Sequence, residues 1–190
     1  MIRIGILGDI GSGKSYVARN FGYPVFNADH EVAQLYQQNK RIFIKLKKSL
    51  PKYFHAFPIE KGEISNAILA NKNNLNKIVK IVHTEVRKKM NNFLNTNKNK
   101  KLVILDIPLL LENKISKKKD ILVFVQSKQS DIIKQLKKRK NFNQKLFKKF
   151  KAIQYSNIYK KKKSDFIIKN DFTKKSVNIG IKNILNELDI

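Results

Sequence analysis

The chain has 190 residues, a formal net charge of +27 and no cysteine. Its length suits one domain on a single core, and the absent cysteines exclude a disulfide framework or a thiolate metal site. No apolar run approaches the ~20 residues of a membrane helix, and strand character starts at residue 2, so the expectation is a soluble, cytoplasmic protein without a leader or membrane partner.

A basic surface attracts polyanions. The lysines, however, are spread along the whole chain among abundant Asn and Ile, a bias that AT-rich coding produces by itself. Nucleic acid is therefore not expected as the main partner, whereas salt-sensitive affinity for any polyanionic ligand is.

Ile2 to Leu7 is a β-branched run that suits a buried parallel strand. It leads into Gly8-Asp9-Ile10-Gly11-Ser12-Gly13-Lys14-Ser15, a Gly-x-x-x-x-Gly-Lys-Ser pattern, and then into helical periodicity over Tyr16 to Phe21. Strand, glycine loop and helix together are the context in which this pattern cradles phosphate. Gly8, Gly11 and Gly13 allow successive N–H groups to turn inward, and the helix start adds a partly positive end. Lys14 is expected to reach the β- and γ-phosphates of a nucleotide and the Ser15 hydroxyl to ligate Mg²⁺. Ser12 and Tyr16 are counted with the same nucleotide site. The competing account, a glycine-rich turn that happens to precede a helix, leaves both matching flanks to chance.

A brief strand over Tyr23 to Phe26 ends at Asn27-Ala28-Asp29, followed by helical spacing over 30–35. Asp29 suits a ligand-facing carboxylate at a strand end and a helix N-cap equally well. Strand signals are then scarce to residue 100. Helices are expected over 41–50, 64–69 and 75–94, with a loop at 51–62 and solvated turns at the Lys/Asn patches 71–74 and 95–101. So much helix predicts a lobe over about 30–100, set over the sheet edge, where a second substrate lies.

Leu102 to Asp106 is the clearest buried strand. Its terminal acid either positions Mg²⁺ or its waters or is satisfied by turn N–H groups. A fourth strand over 120–125 precedes a helix over 129–139. The stretch 137–163 is intensely basic (Lys137, Lys138, Arg139, Lys140, Lys148, Lys149, Lys151, Lys160 to Lys163), with an apolar stripe at Leu146, Phe147, Phe150 and Ile153. It reads as a solvated helical hairpin or as a mobile lid over a triphosphate. In either case each lysine is one flexible point charge among many. A last strand (165–168) and a closing helix (174–188) complete an α/β fold: a parallel sheet of about five strands, with its core in 1–29, 101–136 and 164–190.

Along essentially its whole length the chain resembles the dephospho-CoA kinase family. The phosphate loop matches the family's Gly-Gly-Ile-Gly-Ser-Gly-Lys-Ser except that Asp9 replaces a glycine. Asn27-Ala28-Asp29 stands for Asp-Ala-Asp, Glu60-Lys61-Gly62-Glu63-Ile64 for Asp-Arg-x-x-Leu, and His83-Thr84 for His-Pro. Asp106-Ile107-Pro108-Leu109-Leu110-Leu111-Glu112 is similar to Asp-x-Pro-Leu-Leu-Phe-Glu almost letter for letter. Arg139, Gln154 and Ser164 to Asn170 match the lid arginine, the lid glutamine and the last-strand signature. Tyr16 and Gln135 depart from the usual hydroxyl and arginine.

The resemblance implies a single P-loop kinase domain, monomeric or weakly homo-oligomeric, that transfers the ATP γ-phosphoryl group to the 3′-hydroxyl of dephospho-CoA with Mg²⁺. It implies Asp29 as base, Lys14 and Arg139 as charge stabilisers, Ser15 and Asp106 toward the metal, and Glu60, Lys61, His83, Asp106, Pro108 and Leu109 toward the acceptor. A different small-molecule or nucleoside kinase of this fold, or a nucleic-acid-binding NTPase, remains the alternative.

Overall fold

Five short apolar strands form one parallel sheet in the computed structural model, which describes residues 1–139 and 142–190. Lys140 of the basic stretch lies outside the described residues. β1 (Ile2–Gly8) is central, between β3 (Leu102–Asp106) and β4 (Ile121–Gln126), with β2 (Val25–Asn27) and β5 (Phe166–Lys169) at the edges. The order β2-β3-β1-β4-β5 makes β3, β1 and β4 interior strands. Every residue of β3 is buried, as its unbroken apolar run requires of a strand covered on both faces.

The period-two alternation of each strand divides the core. Ile4, Ile6, Ile104, Val123 and Val125 face α1 (Lys14–Asn20) and α9 (Lys174–Glu187) through Val17, Val177 and Ile181. Leu7, Leu105 and Phe124 join the opposite cluster, with α2 (Ala28–Gln38), α3 (Lys40–Ser49), α4 (Lys61–Ala70) and α5 (Lys72–Thr96). A Cβ on Gly5 would lie 2.4 Å from Leu110 Cδ2, so the missing side chain lets Leu110 of the turn after β3 pack closely against β1. The basic stretch folds as α7 (Gln144–Ala152) and α8 (Asn157–Lys162), after α6 (Gln129–Lys137).

The patch expected as a solvated turn at 71–74 is instead the start of α5. Asn71 accepts from the Asn73 N–H (2.9 Å) as its cap, and buried Asn74 donates to the Ala67 carbonyl (2.9 Å), joining α4 to α5. An Asn-rich run looks solvated until another helix supplies partners for its amides.

Parallel pairing aligns the carboxyl ends of the strands. Asn27 lies opposite Asp106 and Gly8 opposite Val125, so the loops after β1, β2, β3 and β4 open on one edge. Truncating Ile104, which is 0% exposed, should cost about 2–5 kcal/mol as Ile104→Ala, whereas Ile44→Ala on the surface should cost under about 0.5 kcal/mol. Urea unfolding of both variants checks the contrast.

Candidate active site

The loop from Gly8 to Ser15 turns sharply between β1 and α1. Gly13 caps α1 with φ 88°, and a Cβ there would meet the Asn170 amide nitrogen at 2.4 Å. The close approach is purposeful, because Asn170 donates to the Ser12 carbonyl (2.9 Å) and Ser127 donates to the same oxygen (3.0 Å). Asn170 is itself buried and accepts from the Phe172 N–H (2.9 Å). The end of β5 thus fixes the middle of the loop. Ser12 is buried, and among the described residues its hydroxyl has no partner.

Lys14 Nζ donates to the carbonyls of Asp9 (2.7 Å) and Gly8 (3.4 Å). Burial pulls its ammonium down to about 8, and nearby Lys160 adds to this, while Asp106, Asp29 and Asp9 act in the opposite sense. The charges of Asp106, at the end of β3, and of Asp29, at the start of α2, thus both bear on this one cation.

Asp29 is not the N-cap of α2. That place belongs to Asn27, whose Oδ1 accepts from the His30 N–H (2.7 Å). The other end of the Asn27 amide donates to Asp106 Oδ2 (2.5 Å). An aspartate at 27 would set carboxylate against carboxylate, and the amide avoids that repulsion while still capping. Asp29, one residue into the helix, is left open to the cleft. Enclosure by the cleft walls and the Asp106 charge raise its carboxyl, and Lys14 and Arg139 lower it. Its carboxylate keeps solvent access on the cleft side.

A cleft of about 540 Å³ opens beside these groups. Asp29, His83, Pro108, Leu109, Arg139 and Gln154 line it, on an otherwise largely aliphatic and aromatic wall from α2, α4, α5 and α7. Burial and Arg87 push the His83 imidazole down, and Asn113 Nδ2 lies 3.5 Å from its Nε2, an arrangement that suits the neutral ring as acceptor. Glu60 and Lys61 do not line the cleft; they begin α4, both exposed, with the Glu60 N–H donating to Glu63 (3.3 Å). Tyr16 is exposed on α1 and Ser15 is partly exposed beside Lys14.

The expectation that every lysine of 137–163 is an interchangeable surface charge fails. Lys160 is 1% exposed, with Nζ 2.9 Å from Gln154 Oε1, 3.4 Å from the Gly8 carbonyl and 3.5 Å from Glu112 Oε1. Glu112 also accepts from the Tyr155 N–H (2.8 Å). Lys149 donates to the Ile68 and Leu69 carbonyls (2.8 and 3.0 Å) near the end of α4, where a cation complements unpaired carbonyls. Lys151 pairs with Asp9. Charge runs in the sequence do not separate these three from their solvated neighbours. Among the described residues, no three His, Cys, Asp or Glu side chains gather as a metal site, and no helix is long and apolar enough to cross a membrane.

The family model for dephospho-CoA kinase matches residues 2–176. A dephospho-CoA kinase of Wolbachia pipientis wMel is 33% identical over 192 residues, covering 98% of each chain. The crystal structure of TT1252 from Thermus thermophilus superposes with a TM-score of 0.79 at 25% identity, over 98% of this chain and 97% of that one. A dephospho-CoA kinase from Campylobacter jejuni shares the fold, with a TM-score of 0.62 at 18% identity over 98% and 96% of the two chains.

A lysine pulled down to about 8 loses its charge above that pH, so polyphosphate affinity at the loop should fall as pH rises from about 8. NMR titration of labelled lysines in the free protein should find Lys14 well below the usual 10.5. Affinity unchanged to pH 9.5 (about one and a half units above the expected midpoint) would contradict the assignment.

Proposed function

The chain belongs to the dephospho-CoA kinase family, and from that premise we propose how its residues divide the reaction. The activity is transfer of the ATP γ-phosphoryl group to the 3′-hydroxyl of dephospho-CoA, giving CoA and ADP. The observation that carries the residue assignment is that Asp29, which lines the cleft together with Arg139, feels the charges of Lys14 at the phosphate loop and of Asp106 at the end of β3.

In this reading the loop from Gly8 to Ser15 binds the ATP phosphates through its N–H groups, and Lys14 exchanges the Asp9 and Gly8 carbonyls for phosphate oxygens. Asp29 accepts the 3′-hydroxyl proton, or orients that hydroxyl, as its oxygen attacks the γ-phosphorus in line and the bond to the β-phosphate oxygen breaks. A carboxylate open to the cleft, with no capping duty, suits that task. Arg139 brackets the transferring oxygens with its planar guanidinium.

The hydroxyl of Ser15 and the carboxylate of Asp106 are hard oxygen donors, few in number, which fits Mg²⁺ bound chiefly through phosphates and water. When bound, Mg²⁺ supplies charge neutralisation between the phosphates. Asn27 keeps Asp106 aimed by its 2.5 Å hydrogen bond.

The helices α2 to α5 form the acceptor lobe, and 137–163 forms the lid. The acceptor set is narrowed to His83, Pro108 and Leu109 on the cleft wall, beside an apolar surface suited to an uncharged chain. Glu60, Lys61 and Asp106 are left out of that set, since none of them lines the cleft.

Asp29→Asn should melt within a few degrees of the parent and lose about 10²-fold or more in kcat. Arg139→Lys, which conserves net charge, should also lower kcat strongly, and Lys14→Ala should lower it by about 10²–10³. ADP release with dephospho-CoA, set beside adenosine and AMP as acceptors, is the deciding assay. Unchanged kcat in Asp29→Asn would remove it from the chemistry, and a preference for AMP or adenosine would refute the acceptor.

A further inference from the structure

A carboxylate in a phosphate-binding loop opposes its own ligand, and Asp9 sits at the second position of that loop. It is 3% exposed, so water does not screen it well. One carboxylate oxygen accepts from the Ile10 N–H (2.7 Å); the other accepts from the Asn157 amide (3.2 Å) and pairs with the Lys151 ammonium. Among the described residues Lys151 is the only ion-pair partner of Asp9. The two other cations nearby are otherwise engaged: Lys14 reaches the Asp9 carbonyl, and Lys160 reaches Gly8, Gln154 and Glu112. The counter-charge of the loop therefore comes from α7, on the lid. Two residues earlier, Lys149 holds α7 to the end of α4.

We propose that Lys151 completes the phosphate loop from outside it. Docked, its ammonium cancels the Asp9 carboxylate and lets the loop accept a triphosphate; withdrawn, it leaves an uncompensated anion where the phosphates belong. Nucleotide affinity and lid docking then depend on each other, and the coupling is reciprocal. This rests on the reading of the loop as the ATP site. Lys151 acts through Asp9, as a positioning residue, and its half-exposed side chain makes it replaceable without opening the core.

The test is equilibrium titration of the full chain with ATP and, separately, with dephospho-CoA, for Lys151→Met, Lys151→Arg, Asp9→Gly and the double variant Asp9→Gly/Lys151→Met. Lys151→Met should weaken ATP binding about tenfold or more, within the usual range of coupling between sites, and leave dephospho-CoA binding within about twofold. Lys151→Arg should retain most of the affinity. The double variant should recover most of what Lys151→Met loses, because the charge that needed cancelling is gone.

Limited proteolysis within 142–157 gives a second readout. ATP should protect α7 in the parent, and the protection should shrink in Asp9→Gly. A double variant as weak as Lys151→Met would overturn the proposal, showing that Lys151 acts on phosphate directly or on packing alone. Unchanged ATP affinity in Lys151→Met would overturn it as well. If the parent protein bound no ATP at all, the nucleotide reading itself would fall, and this proposal with it.

Discussion

The Lys14 ammonium is what allows the rest of this site to exist. The parallel sheet delivers Asp106, and the start of α2 delivers Asp29, to one edge, where two carboxylates would repel each other. The Lys14 charge acts on both and offsets that repulsion, while its burial pulls its own ammonium down to about 8. Everything else is arranged to keep that cation in place. Asn170 and Ser127 hold the loop beneath it, and Asn27 removes a third carboxylate from the neighbourhood by being an amide.

Local signals carried most of the architecture. The glycine loop is legible because its function needs consecutive residues with special backbone angles, and β3 because a strand buried on both faces is apolar throughout. Asp29 was legible only in part. Its position after a strand suggests both a cap and a ligand-facing acid, and the neighbouring Asn27, two residues earlier, takes the cap. The Asn-rich start of α5 was misread because Asn74 finds its partner on another helix.

The lysines show where sequence reasoning stops. In a chain with 41 Lys and Arg against 14 Asp and Glu, nothing local distinguishes Lys160, buried against Glu112, from Lys161 beside it. That difference is set by residues far away in sequence, 48 positions for the Glu112 pair and 142 for the pair between Asp9 and Lys151. The scarce acids, by contrast, are informative. Asp9, Asp106 and Glu112 are each enclosed and partnered, and each marks a junction between segments.

The Asn27 amide also sets the mechanics of the cleft. It caps α2, the first helix of the lobe, and is bonded at 2.5 Å to the end of β3, so the lobe is pinned to the sheet at its root. Displacement in a rotation grows with distance from the pivot. Any swing of the lobe about that pin moves α4 and the middle of α5 through a wide arc but shifts Asp29, two residues from Asn27, very little. A hinge at the root would widen the far end of the cleft while leaving the Asp29 carboxylate close to the end of β3.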